Sequence, residues 1–151
     1  MARSVSPRRS IKFSRPAYVL EEQIGFILRQ VWQRHATIFA KEIGTNLTQT
    51  QWAALSKLTE TGPWSQNQLG RLTAMDVATI KGVIDRLTAR GLTETSPDPE
   101  DGRRLLVSLT RAGQQTAEKA AANALAITRE TMAPLDAKER ETLLALLSKL
   151  H

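Results

Sequence analysis

Three short stretches between residues 47 and 80 obey one rule. Each runs as an apolar residue, a capping residue, two others, a residue able to close a capping box, and a second apolar residue. They read LTQTQW at 47–52, WSQNQL at 64–69 and MDVATI at 75–80. In the first two, Thr48 and Ser65 can accept the third helical N–H while Gln51 and Gln68 reach back, and Leu47 with Trp52, then Trp64 with Leu69, form hydrophobic staples. Asp76 caps the third, with Thr79 a weaker partner. Gly62-Pro63 ends the first of these helices, and only Thr73, Ala74 and Met75 separate the second from the third. A short helix, a tight turn and a longer helix make a helix-turn-helix.

In the longer helix, read over 76–90, Ile80, Val83, Ile84 and Leu87 fall on one stripe, leaving Ala78, Thr79, Lys81, Gly82, Asp85 and Arg86 toward the flanks and outside. Gly91 stops it. Two strand-like runs follow, LTETS and RLLVSL, joined by PDPEDG, so the region closes as a hairpin with a long charged tip over 92–109. Pro97, Pro99 and Gly102 belong in that turn and would be poor inside a ladder.

The flanks are helical. From Tyr18, apolar residues recur at three- and four-residue steps through Leu20, Ile24, Ile27, Leu28, Val31, His35, Ile38 and Phe39, marking one side of a long helix that ends near Gly44. After Thr110 an alanine-rich segment predicts a helix with a smooth face. Pro134 ends it, and Asp136 caps a last helix whose Leu143, Leu146, Leu147 and Leu150 form an apolar stripe, adjoined by Leu144. That is too much apolar surface for an isolated terminal element, so the last helix needs a partner: the first helix of the same chain or a second subunit.

Charge is unevenly placed. The net charge is +6, yet Arg3, Arg8, Arg9, Lys12 and Arg15 stand in residues 1–16 without an acid, leaving sixteen basic against fifteen acidic side chains beyond. The folded body must therefore bind by arranged charge rather than net charge, and the basic segment is read as a flexible tail. With no cysteine, thiolate metal sites, cysteine nucleophiles and thiol-oxidation switches are excluded. Histidines at 35 and 151 alone make no triad or zinc cluster, and Asp98, Glu100 and Asp101, interrupted by prolines, fit no calcium loop. No catalytic residue, metal or cofactor is expected. No apolar run approaches the roughly 18 residues that span a bilayer, so a cytoplasmic protein without membrane contact is expected.

LTQTQWAAL, SQNQLGRL, IDRLTARGLTE and above all DPEDGRRLLVSLTRAG carry a likeness over residues 18–150. The chain resembles the multiple-antibiotic-resistance regulator (MarR) family of winged helix-turn-helix repressors. The resemblance implies a mainly α, winged helix-turn-helix fold with long N- and C-terminal helices forming a dimerisation region. It also implies an obligate homodimer, binding to double-stranded operator DNA, and release by a small ligand. The domains follow as a tail at 1–16, a dimerisation helix at 17–45, a DNA-binding region at 46–112 and C-terminal dimerisation helices at 113–151.

On the residues themselves, the helix at 76–90 can enter a major groove with its N-terminal turns near base edges. Thr79 and Lys81 are expected at or near base edges, and Ser65, Gln66, Asn67 and Arg86 as groups that position phosphates. Arg103 is the expected minor-groove probe, since a narrow groove concentrates negative potential. In the family pattern an aspartate two residues earlier braces that arginine, which puts Asp101 in the role. Arg104 departs from the small residue usual there and either adds a phosphate contact or points to solvent. Gly82, where the family often has a basic or polar residue, removes base readout at that position. Asp85 is read as a local salt-bridge partner.

Such regulators commonly hold an aromatic carboxylate, or a coenzyme A thioester, where the dimerisation helices meet the winged domain. Arg29, Trp32, Arg34, His35, Phe39 and Trp52 supply a cation, an imidazole and flat rings for that purpose. His35 is equally a core histidine bonded to a backbone carbonyl, and Trp52 a staple residue. The expected function is a ligand-released repressor; the alternative is a winged-helix protein-interaction module without specific DNA binding, which Gly82 and the near-neutral body favour.

Overall fold

The computed structural model describes residues 17–151, and the basic tail lies outside the described residues. Six α-helices and three short strands follow in the order α1 (Ile24–Glu42), α2 (Gln49–Thr61), β1 (Trp64–Ser65), α3 (Gln66–Leu72), α4 (Val77–Ala89), β2 (Thr93–Pro97), β3 (Leu105–Leu109), α5 (Arg111–Thr131) and α6 (Ala137–Leu147).

The caps do as the sequence requires, with one reassignment. Thr48 and Gln51 close a full capping box, as do Asp136 and Glu139. Ser65 accepts the Gln68 amide, but Gln68 does not reach back to the Ser65 backbone; its Oε1 instead accepts from the Ser65 hydroxyl at 2.8 Å. The physical reason is that Ser65 belongs to β1, so its backbone is engaged in the sheet opposite Leu106. Thr110 caps α5 through the Gly113 amide at 3.0 Å.

Leu55 and Leu58 of α2, Leu69 of α3 and Ile80, Val83, Ile84 and Leu87 of α4 meet Leu92, Val107, Ala117, Ala120 and Ile127 in one buried cluster. The α4 stripe is thus fully committed to the core, which turns the other side of that helix outward. The hairpin forms with Thr93 opposite Leu109 and Pro97 opposite Leu105. Pro97 therefore closes the ladder as its last rung rather than lying in the turn, a position where its missing N–H is tolerated. β1 adds a third strand in the order β1-β3-β2. A two-residue strand has no periodicity to read, so the sequence shows Trp64 only as a staple residue.

α1 starts later than the apolar spacing predicts. A 3-10 turn at Leu20–Glu22 precedes it, and Gln23, in extended backbone, returns its side-chain amide to the Val19 carbonyl at 2.7 Å. Only the C-terminal part of the helix is covered: Phe39 and Ile43 are buried, while Ile24, Leu28, Val31 and Trp32 remain exposed. α6 contains no buried residue, and Leu144, Leu146 and Leu150 beyond it are open. Gly113 shows why the Ala-Gly pair matters. A methyl group there would fall inside van der Waals contact of the Leu92 carbonyl, so the first turn of α5 rests backbone to backbone on the base of the hairpin.

Candidate DNA-binding face and effector cavities

The outward side of α4 begins at its cap. The Asp76 carboxylate accepts the Thr79 amide at 2.7 Å, and this bond holds its carboxyl below the usual carboxylate range. Thr79, Lys81, Asp85 and Arg86 are all exposed. Lys81 is tied to Asp85 at 2.6 Å, the local pairing expected of that aspartate. A methyl at Gly82 would sit 3.3 Å from Arg86 Nη2, so the Arg86 side chain folds back across the bare backbone at Gly82. The glycine thus leaves a berth for a guanidinium one turn closer to the N-terminal half of α4. Val77, which the sequence reading assigns to neither face, is 68% exposed in the first turn; it lies outside the buried stripe and offers a methyl surface of the kind that meets thymine.

The hairpin tip is set by main-chain bonds. Asp98 N–H donates to the Arg104 carbonyl at 2.8 Å and Arg104 N–H to the Asp101 carbonyl at 2.9 Å. The Asp101 carboxylate accepts the Arg103 amide at 3.1 Å. Asp101 therefore holds the backbone at Arg103, and among the described residues no ion pair joins the two side chains. Arg103 is left exposed. Arg104 turns back to α3, where its Nη2 donates to Gln68 Oε1 at 3.3 Å while the residue stays exposed. Ser65, Gln66, Asn67 and Arg104 line one polar cleft of about 390 Å³ together with Arg71. Arg71 escaped the sequence reading, although it follows Asn67 by one helical turn and shares its face.

On the effector side the expected residues divide between two faces of α1. Trp32, His35 and Phe39 form a ladder of tilted rings with centroids 5.8 and 6.3 Å apart. Arg34 is spent on the C-terminus of α5, donating to the Glu130 carbonyl at 2.9 Å and the Thr131 carbonyl at 3.3 Å. His35 Nδ1 meets Thr131 Oγ1 at 2.9 Å, a side chain rather than the backbone carbonyl expected of a core histidine. That hydroxyl donates its single proton to the Ile127 carbonyl at 2.8 Å. It must accept from Nδ1–H, so the neutral ring keeps Nε2 as an acceptor. Arg29 is exposed beside Trp32, and Trp52 packs on the core from α2, apart from the ring ladder.

Arg34 and His35 border an apolar groove of about 810 Å³ between α1, the end of α5 and α6. Phe39 instead borders a smaller one of about 390 Å³ against the start of α2. Gln49 lines the smaller groove, and its buried Nε2 has no protein hydrogen-bond partner. It is a donor that sequence periodicity had no means to single out.

Residues 47–105 match the model of the MarR family. Over 99% of its length the chain is 38% identical to the HTH-type transcriptional repressor NicR of Pseudomonas putida, 95% of which is covered. The chain belongs to the MarR family. Among solved structures, this MarR-family chain is 60% identical to a probable transcriptional regulator from Pseudomonas aeruginosa, with a TM-score of 0.86 over 88% of this chain and all of that one. It is 39% identical to Bordetella bronchiseptica BpsR, with a TM-score of 0.84 over 89% of this chain and 96% of that one; BpsR was solved in a study of how 6-hydroxynicotinic acid regulates its DNA binding. The winged helix-turn-helix read from the sequence is thus the fold of the family, whose MarR members are transcriptional regulators rather than enzymes by name. No helix of the described residues is long and apolar enough to cross a membrane.

Proposed function

We propose that this MarR-family protein is a homodimeric transcriptional repressor that binds a pseudo-palindromic operator and leaves it when an aromatic carboxylate, or its coenzyme A thioester, binds. The observation that carries the DNA part is that α4, the α3 cleft and the wing each leave polar and basic side chains exposed. With the apolar stripe of α4 buried, Val77, Thr79, Lys81 and Arg86 face outward beside a wing that exposes Arg103 and a cleft holding Arg71 and Arg104. Base edges would be read by Val77, Thr79 and Lys81, the last on leaving Asp85. Ser65, Gln66, Asn67, Arg71, Arg86 and Arg104 would position phosphates, and Arg103 would probe the minor groove. Half-sites would lie about one helical turn apart, roughly 34–36 Å.

The dimer is supported by what one copy leaves open. α6 buries nothing and Ile24, Leu28, Val31 and Trp32 of α1 stay exposed, so the groove between the two helices is not closed by the chain itself. A second copy is the partner that the family implies. For the effector, Arg34 and Lys138 line the larger groove with His35 whereas Arg29 lines neither groove, so Arg34 or Lys138 would supply the cation for a carboxylate there. His35 Nε2, an acceptor in the neutral ring, suits a hydroxyl or ring N–H on the same ligand. A hydroxylated aromatic acid joins both features, and 6-hydroxynicotinic acid, named with BpsR, is of that class. Release follows if the ligand prefers a dimer whose two α4 helices no longer match the half-sites, and by no more than its difference in affinity for the two states.

Fluorescence anisotropy with labelled duplex from the DNA upstream of its own gene, against random duplex, tests the reading. Selective binding that falls steeply with salt, weakens in Arg103→Ala and reverses with 6-hydroxynicotinic acid or an aryl coenzyme A thioester is expected. Equal binding to random duplex would leave a winged-helix interaction module in its place.

A further inference from the structure

Arg90 is the C-cap of α4 and carries no part of the DNA-facing surface described above. Its guanidinium crosses to the turn between α1 and α2. Nη1 donates to the Asn46 carbonyl at 3.0 Å and to Gln51 Oε1 at 3.3 Å, and Nη2 to the Thr45 carbonyl at 3.4 Å. Every one of these partners is a neutral oxygen. The turn is an unusual shape for a reason: Gly44 and Asn46 both take left-handed backbone, with φ of 72° and 51°, which directs successive carbonyls outward. Its remaining end is held from the opposite side, where Asn123 of α5 donates to the Ile43 carbonyl at 3.0 Å. Gln51 is buried, and its Oε1 also accepts the Thr48 amide at 3.1 Å, so the oxygen that closes the α2 capping box is the one Arg90 shares.

The turn of residues 43–48 is therefore gripped by α5 at its start and by the end of α4 at its middle. α1 and α5 belong to the region that joins two copies, while α4 is the helix that would read DNA. A planar fork bound at three points fixes direction as well as distance, which a flexible ammonium does not. We infer that Arg90 is a positioning residue for operator recognition, setting the direction of α4 against the α1–α2 turn so that both recognition helices of a dimer meet their half-sites together. This rests on the reading of α4 as the major-groove helix.

A matched site needs both α4 helices aligned, whereas random duplex is held by charge alone. The test is operator and random-duplex affinity of Arg90→Met and Arg90→Lys across a salt series, with amide exchange on the DNA-free proteins. Arg90→Met is expected to lose roughly ten- to a hundredfold for the operator, the equivalent of a misplaced base contact. Random-duplex affinity and the salt slope should stay as in wild type, and the melting temperature should move by a few degrees at most because two of the three bonds are exposed. Arg90→Lys should recover only part of the loss. Exchange should rise at residues 45–51 and in the last turn of α4.

A salt slope lowered by about 0.9 would make Arg90 a phosphate ligand and overturn the proposal. Equal loss on random duplex, full recovery by lysine, or a melting temperature that falls in step with affinity would overturn it as well. Should wild type fail to select the operator at all, the functional reading fails, yet the clasp is still judged by exchange: unchanged exchange in Arg90→Met sinks it independently.

Discussion

Gly113→Ala should cost far more than a single methyl suggests. At this position the added carbon would lie 2.9 Å from the Leu92 carbonyl carbon, nearer still to its oxygen, and 3.4 Å from Leu109 Cδ2. Backbone cannot swing aside as a side-chain tip does. The same Leu92 carbonyl accepts the Thr110 amide at 3.1 Å, and the Thr110 hydroxyl caps α5 through Gly113, so relief of the clash pulls on both bonds at once. Overpacking of this kind costs about 1–3 kcal/mol and a weakened hydrogen bond about 1 kcal/mol more, giving about 2–4 kcal/mol. At about 2–4 °C per kcal/mol for a chain of this size, the melting temperature should fall by roughly 5–15 °C. The assay is thermal unfolding by circular dichroism at one fixed protein concentration, since dimer stability varies with concentration. Gly82→Ala is the control. Its added methyl meets only the tip of Arg86, which can move, and helix propensity favours alanine by about 1 kcal/mol, so its melting temperature should stay level or rise. If Gly113→Ala melted with wild type, the backbone contact between α5 and the wing would not be the constraint described here.

Other outcomes follow from the same geometry. Arg71→Ala should lower the slope of log affinity against log salt by about 0.9 per protomer contact while leaving sequence preference intact, measured by anisotropy across a salt series. Leu144→Glu with Leu146→Glu should shift the protein to monomer in light scattering after size exclusion, because the charges would enter the groove a second copy would cover. In Asp76, whose carboxyl is held below its usual range by the Thr79 amide, the cap's contribution is fully present above the unfolded value and is lost as pH falls through the folded one. Wild type should therefore lose, relative to Asp76→Ala, a stability increment below about pH 4 that acid-unfolding curves would resolve. Lys138→Ala should weaken 6-hydroxynicotinic acid in calorimetry more than Arg29→Ala does, since Lys138 lines the groove with His35 and Arg29 does not.

Much of the DNA-binding region was legible because its determinants are local. Thr48, Ser65 and Asp76 cap the next turn of their own chain, and Ile80, Val83, Ile84 and Leu87 must share a face once that stretch is helical. The site was less so. Whether Arg104 points to solvent depends on Gln68, thirty-six residues away, and whether Arg34 is free for a ligand depends on carbonyls ninety-six residues on. Spacing alone makes His35 core or ligand contact; its partner, the Thr131 hydroxyl, lies ninety-six residues away.

Sequence alone determined the helix-turn-helix, the hairpin after it and the family, since caps, stripes and turn residues act within a few positions of one another. Tertiary structure decided the third strand, the two faces of α1, the turn of Arg104 toward Gln68 and the clasp from Arg90 to the α1–α2 turn. Those depend on groups brought together through the packing of a common core, and no local periodicity records which distant carbonyl a guanidinium will meet.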